Sequence, residues 1–124
     1  MTLARQRTGR IGEQHACDLL SRSGVAIVAR NCRTREGEID VIAIDGGALV
    51  FVEVKTMRTG ARSGPESPIL AVGPRKQRQV RRLARAWLAE HSPPLHGSIR
   101  FDVVGVSLDP GGRAVAIEHV PNAF

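Results

Sequence analysis

The chain has 124 residues and a formal net charge of +6, with 42% hydrophobic and 24% charged residues, which suits one soluble globular domain over 1–124 able to bury a core without disulfides. No apolar run approaches the ~20 residues of a membrane helix, and the Arg-rich start lacks the apolar stretch of a secretory signal, so the expected compartment is the cytoplasm. Cys17 and Cys32 show no CxxC spacing and are expected as reduced, half-buried thiols, while the excess positive charge favours a polyanionic partner, nucleic acid before a membrane.

Gly9 to Ser23 reads as a first helix, with Ala16, Leu19 and Leu20 on one stripe and Gly24 placed to stop it. Val25 to Arg30 reads as a short strand and Asn31 to Gly37 as a polar turn. Glu38 to Asp45 and Ala48 to Thr56 are two β-rich runs joined by Gly46-Gly47, the clearest hairpin signal in the chain. Met57 to Gly73 is rich in Gly, Ser and Pro without periodicity and is expected to be a long loop, a substrate flap poorly ordered without nucleic acid. Pro74 to Ser92 is a strong helix, opened by proline and carrying Val80, Leu83, Ala84, Trp87 and Leu88 at helical spacing until Pro93-Pro94 ends it. Ser98 to Leu108 and Ala114 to Val120 complete the chain as strands around an Asp109-Pro110-Gly111-Gly112 turn. The predicted order is α-β-β-β-α-β-β, an α/β fold.

Glu53 and Lys55 lie two apart on a strand and share the face of Leu49 and Phe51. If Gly46 and Gly47 form the turn, Asp45 faces Ala48, and counting outward sets Asp40 opposite Glu53 and Glu38 opposite Lys55, all on one side. Carboxylates across a strand pair repel unless a cation lies between them. A small set of hard oxygen ligands suits Mg²⁺ or Mn²⁺, and such a site serves phosphodiester hydrolysis, with Lys55 orienting the attacking water or stabilising charge on the phosphate. Asp40, Glu53 and Lys55 are therefore the candidate catalytic core of a metal-dependent nuclease, a set that resembles the PD-(D/E)xK type, and a plain solvated strand face is the competing reading. Glu38 reads more simply as a salt bridge to Lys55. Glu13 falls within the stripe of Ala16, Cys17 and Leu20 and so faces the sheet, either as a metal ligand or as a partner to an Arg.

Arg75, Arg78, Arg81, Arg82 and Arg85 fan out opposite the apolar stripe of the second long helix, a basic ridge for phosphates or an ordinary solvated face. Every basic residue is Arg except Lys55 and Lys76, which sets both lysines apart. Lys76, at the helix's first turn, could reach a phosphate or snorkel to solvent. His15, His91, His96 and His119 show no ligand spacing, and Asp102 is read as support for the sheet. Two functions fit: a metal-dependent endonuclease, and a non-catalytic DNA- or RNA-binding accessory protein with the same fold.

The residue pattern resembles the YraN family of uncharacterised bacterial proteins, which looks related to archaeal Holliday-junction resolvases. The likeness covers most of the chain and rests on Gly12-Glu13 with Ala16, Arg30-Asn31, Gly37-Glu38-Ile39-Asp40, Phe51-Val52-Glu53-Val54-Lys55-Thr56, Lys76 before an Ala/Leu-rich helix, and Arg100-Phe101-Asp102-Val103. The resemblance implies a restriction-endonuclease-like core of mixed β-sheet flanked by helices. It also implies Glu13, Asp40, Glu53 and Lys55 as the catalytic set, with Glu13, Asp40 and Glu53 on the metal, and a Mg²⁺ requirement. Branched or structured DNA is the implied partner, and resolvase-like action on symmetric junctions implies a twofold homodimer. Met57 stands where an Arg usually follows the Lys-Thr, and Cys32 where an aromatic usually follows the Asn, which points to a weaker phosphate grip.

Overall fold

The computed structural model describes residues 3–58 and 72–124. Helix α1 spans Leu3–Arg22, strands β1, β2 and β3 span Ala26–Thr34, Gly37–Asp45 and Ala48–Arg58, α2 spans Pro74–Glu90, and β4 and β5 span Ser98–Leu108 and Ala114–Val120. The order is the α-β-β-β-α-β-β expected from the sequence. The strands form one sheet in chain order, with β3 and β4 parallel and every other pair antiparallel. Among the described residues no helix is long and apolar enough to cross a membrane.

A parallel pair needs a crossover, and α2 supplies it, so α2 lies on one face of the sheet while α1 covers the other. Each helix brings its own core. Ala16, Cys17 and Leu20 of α1 pack on Val41, Ala43, Val50, Val52, Val104 and Val106. Val80, Leu83, Ala84 and Trp87 of α2 pack on Ile39, Ile42, Leu49, Phe51 and Phe101. Phe51 is the centre of the second core, edge-on to Trp87 at 6.0 Å and stacked on Phe101 at 5.8 Å. Because both faces of β3 are covered, its run Leu49-Val50-Phe51-Val52 is continuously apolar.

The helix ends obey local chemistry. Gly24, at φ 88, lets Val25 N–H reach Leu20 O at 3.0 Å and Gly24 N–H reach Ser21 O at 3.2 Å, and buried Val25 seals the stop. Gly73 precedes Pro74 at the start of α2, where proline's missing N–H costs no helical bond. His91, extended ahead of Pro93-Pro94, closes the helix with its ring stacked on Trp87 at 4.7 Å.

Some expected bounds move. α1 begins at Leu3 rather than Gly9, because the preceding Leu, Ala, Arg and Gln residues are all good helix formers and Gly9 is tolerated within the helix. Residues 31–37 are not all turn: β1 continues to Thr34, leaving Arg35 and Glu36 as the turn, where Thr34 Oγ1 accepts from Glu36 N–H and donates to Gly37 O. Strand β3 runs on through Met57 and Arg58, and Val72 and Gly73 lead into α2. The rest of the proposed flap lies outside the described residues.

Candidate metal and phosphate site

The hairpin fixes the frame. Gly46 takes a left-handed φ of 58, Asp45 pairs with Ala48, and the ladder continues to Val41 opposite Val52. There the main-chain pairing ends. Asp40 Oδ2 instead accepts the Val54 N–H at 2.9 Å, so the Asp40 carboxylate satisfies a donor at the mouth of the opening ladder. Neither Asp40 and Glu53 nor Glu38 and Lys55 are therefore the ladder partners that counting from the hairpin predicts, and the salt bridge expected between Glu38 and Lys55 is replaced by a long contact of Glu38 with Arg33 at 3.9 Å.

At the same level β1 and β2 change which side they present. Asn31, between the pairs Arg30 with Val41 and Cys32 with Ile39, has a left-handed φ of 50. Ile39 and Ile42, three apart, both pack under α2, whereas Val41 and Ala43 pack under α1, so the alternation of β2 slips by one position around Asp40. The slip gathers Glu38 and Asp40 on the α1 side, where Glu13 meets them. One oxygen from each of Glu13, Glu38 and Asp40 lies within 4.8 Å of the others. Asn31, its amide nitrogen turned toward the acids, donates to Glu13 Oε1 at 2.7 Å and Glu38 Oε1 at 3.0 Å; the opposite orientation would set its oxygen against both.

Glu13 reaches this position because α1 passes close to β3. Gly12 is buried against Thr56, and a Cβ built on Gly12 would overlap the Thr56 side chain. Any larger residue would lift the helix and the acid beside it.

The electrostatics follow from crowding. Glu13 is pushed up to about 7, first by burial and then by the charges of Asp40 and Glu38, with Arg10 and Arg30 opposing. Burial raises the Asp40 carboxyl as well, against the Val54 hydrogen bond and the charge of Lys76. Glu53 is pushed up to about 7 by burial and by Asp40, although Lys76 and Lys55 pull the other way. Glu13 and Asp40, both held above their ordinary range and met by Glu38 within 4.8 Å, form a site that a hard divalent cation fits: oxygen donors only, crowded, and partly withdrawn from water.

Glu53 sits at the edge of this group and makes an ion pair with Lys76 Nζ at 3.3 Å. Lys55 is exposed beyond it. Both line an open groove of about 800 Å³ together with Thr8, Arg58, Val72 and Lys76, and Arg58 is braced there by Thr8 Oγ1 at 2.7 Å. Arg75, Arg78, Arg82 and Arg85 project from α2 into solvent. Arg81 lies over the rings of Phe101 and Phe124, at 4.7 and 5.6 Å, and so also clamps the C-terminus.

Glu13, Asp40, Glu53 and Lys55 thus surround one corner of the sheet. Sequence reasoning set aside Glu38 and gave Asn31 no role. Strict alternation hid both, and an Asn, which tolerates left-handed φ, just ahead of an acidic strand was the available signal. Asp102 lies apart from the acid group, fully buried. It accepts from Arg100 Nε at 2.8 Å and Asn122 N–H at 3.0 Å, and bonds His119 Nε2 at 2.7 Å, which ties the chain end to β4. Cys17 and Cys32 are free thiols, and burial pushes both above the ordinary thiol range.

The pattern shared with other proteins covers this whole site. A sequence model of the Uncharacterised protein family UPF0102 matches residues 12–106. A UPF0102 protein of Streptomyces griseus is 50% identical over 116 residues, spanning 94% of this chain and 94% of its own. One from Frankia alni is 50% identical over 121 residues, 98% of this chain and 97% of its own. One from Geobacter metallireducens is 45% identical over 124 residues, covering 100% and 97%.

Proposed function

This chain belongs to the Uncharacterised protein family UPF0102, and from that premise we propose that it is a metal-dependent endonuclease hydrolysing phosphodiester bonds of structured or branched DNA in the cytoplasm. The observation that carries the reading is the meeting of Glu13, Glu38 and Asp40 oxygens within 4.8 Å, with Glu53, which feels the charge of Asp40, lining a groove together with Lys55 and Lys76. Glu13, Asp40 and Glu53, with Glu38 beside them, would hold Mg²⁺ or Mn²⁺, which supplies Lewis acidity toward the phosphate and a bound water of lowered pKa. Asn31 holds one oxygen each of Glu13 and Glu38, much as outer-shell partners orient ligands elsewhere. Asp40 is held in place by the Val54 N–H. Lys55 projects into the groove, where its ammonium orients water or meets charge building on the phosphate oxygens. The exposed arginines of α2 hold the nucleic-acid backbone without reading bases. Action on a symmetric junction further calls for a twofold homodimer.

The test is a cleavage panel of duplex, single-stranded, flap and four-way DNA with Mg²⁺, with Mn²⁺ and with chelator, using Glu53→Ala as the blank. Metal-dependent cutting that Glu53→Ala abolishes is the expected result. The exposed α2 arginines favour a second reading, a DNA- or RNA-binding accessory protein without turnover. Equal binding in chelator and metal, with no cutting of any substrate, would replace the first reading by this one.

A further inference from the structure

Glu53 stands apart from the other acids in having a partly buried ammonium against it, whereas Glu38 has only the long, exposed contact with Arg33. Glu13, Glu38 and Asp40 approach one another within 4.8 Å, and Glu53 is not in that set. Its Oε1 instead lies 3.3 Å from Lys76 Nζ, with the Lys76 side chain 42% exposed and that of Glu53 17%. The carboxylate is inside, and the ammonium reaches in from the groove wall. One hydrogen-bonded ammonium neutralises one negative charge through a flexible four-carbon stem. A divalent ion offers twice the charge and would take Glu53 together with Asp40.

Resting on the metal-site reading above, we propose that Lys76 is an internal stand-in cation for Glu53, exchanged for a divalent ion when Glu53 joins Asp40 and thereby released toward a phosphate in the groove. The residue type suits this exchange. Lysine makes a monodentate, strongly hydrated contact that is easily given up, whereas arginine would grip Glu53 with a planar two-pronged fork. The position suits it as well. Lys76 sits in the first turn of α2, and the freed ammonium stays in the groove that Lys55 and Arg58 also line. Metal and nucleic acid therefore bind with positive coupling, each raising the affinity for the other by the same factor.

The experiment titrates Mn²⁺ by calorimetry, without nucleic acid, into the full chain and its Lys76→Met, Lys76→Arg and Lys55→Met variants. Lys76 and Lys55 are both partly exposed, and thermal melts verify that each variant folds. Lys76→Met should bind Mn²⁺ roughly tenfold tighter than the parent, Lys76→Arg no tighter, and Lys55→Met should change much less than Lys76→Met. A second arm follows a fluorescent duplex by anisotropy in Ca²⁺ and in chelator, with its integrity checked on a gel. The parent should gain affinity in Ca²⁺, and Lys76→Met should lose most of that gain. Equal Mn²⁺ affinity for the parent and Lys76→Met, or an equal tightening in Lys55→Met, overturns the exchange while leaving the metal site standing. No Mn²⁺ binding by the parent or any variant removes the metal-site reading, and the exchange with it.

Discussion

Lys55 separates chemistry from binding at the level of one side chain. Lys55→Ala deletes the cation beside the groove and leaves Asp40, Glu53 and Glu13 in place, so cleavage should fall by about 10²- to 10³-fold while duplex affinity changes little. Lys55→Arg keeps the charge but replaces a compact ammonium by a larger fork, and it too should be nearly inactive. Single-turnover cleavage alongside filter binding measures both, and full activity in Lys55→Arg would reduce the lysine to a general phosphate contact. The crowded carboxyls give a second residue-scale outcome. Glu13 and Glu53 keep protons in the folded chain up to about 7, whereas in the unfolded chain they release them near the ordinary 4.5. Between those values the folded state binds more protons, so raising the pH through this window lowers stability in chelator. Asp102 acts elsewhere: burial raises its pKa, but bonds from Arg100, Asn122 and His119 outweigh that, and its contribution is lost only as the pH falls below the ordinary carboxylate range. Melting temperatures at pH 5 and pH 8 should therefore decline upward, more shallowly in Glu13→Gln, and Mn²⁺ should reverse the decline. A parent and a Glu13→Gln variant with identical pH slopes would show that Glu13 is not part of the crowd.

Between α1 and β3 the contact is as close as the backbone allows, and one missing methyl makes it so. Gly12→Ala would drive a Cβ into Thr56, which should cost about 1–3 kcal/mol as overpacking or lift α1 away from the sheet. Urea midpoints give the cost, and Mn²⁺ affinity should drop as Glu13 moves with the helix; Thr56→Ala in the same chain should recover part of both, a coupling expected of residues in contact. An unchanged midpoint in Gly12→Ala would mean that the helix is free to shift. At this scale most of the fold was readable beforehand. The Gly46-Gly47 hairpin set the register down to Val41 and Val52, and the bounds of β4 and β5 fell where the β-branched runs and the Asp109 to Gly112 turn put them. Period-2 counting failed where the strands stop alternating. Asn31 turns left-handed, β2 slips by one, and Glu38 moves from a supposed partner of Lys55 into the acid group. No local propensity announces a slip of that kind, since it depends on two strands twisting together under a helix. The first turns of α1 were missed because they bury little and so carry no apolar period.

At the scale of the whole molecule, the buried acid Asp102 ties the chain end to β4, alongside the hold of Arg81 and Phe101 on Phe124. Asp102→Ala would strip partners from Arg100, His119 and the Asn122 N–H at once, and should cost about 3–5 kcal/mol, as breaking a buried pair does. Chemical denaturation reads that loss, and unchanged Mn²⁺ affinity in the surviving folded fraction would keep the Asp102 network distinct from the acid site. The parallel pairing of β3 with β4 has a different kind of consequence, in the order of assembly. Every acid assigned to the site precedes the crossover, yet Ala48 waits for Ser98 and Arg58 for Leu108 before the central strand is closed on both edges. Pairing between such distant stretches is slow, and loop closure must precede its reward. A nascent chain that has reached α2 but not β4 therefore carries an open edge of Leu49-Val50-Phe51-Val52, apolar on both faces and without a charge to repel another strand. Fragments ending before Ser98 should self-associate rather than fold into a smaller site, which light scattering of a 1–97 fragment beside the full chain would reveal. The strand that carries Glu53 and Lys55 is thus also the surface most exposed to misassembly while the protein is being made.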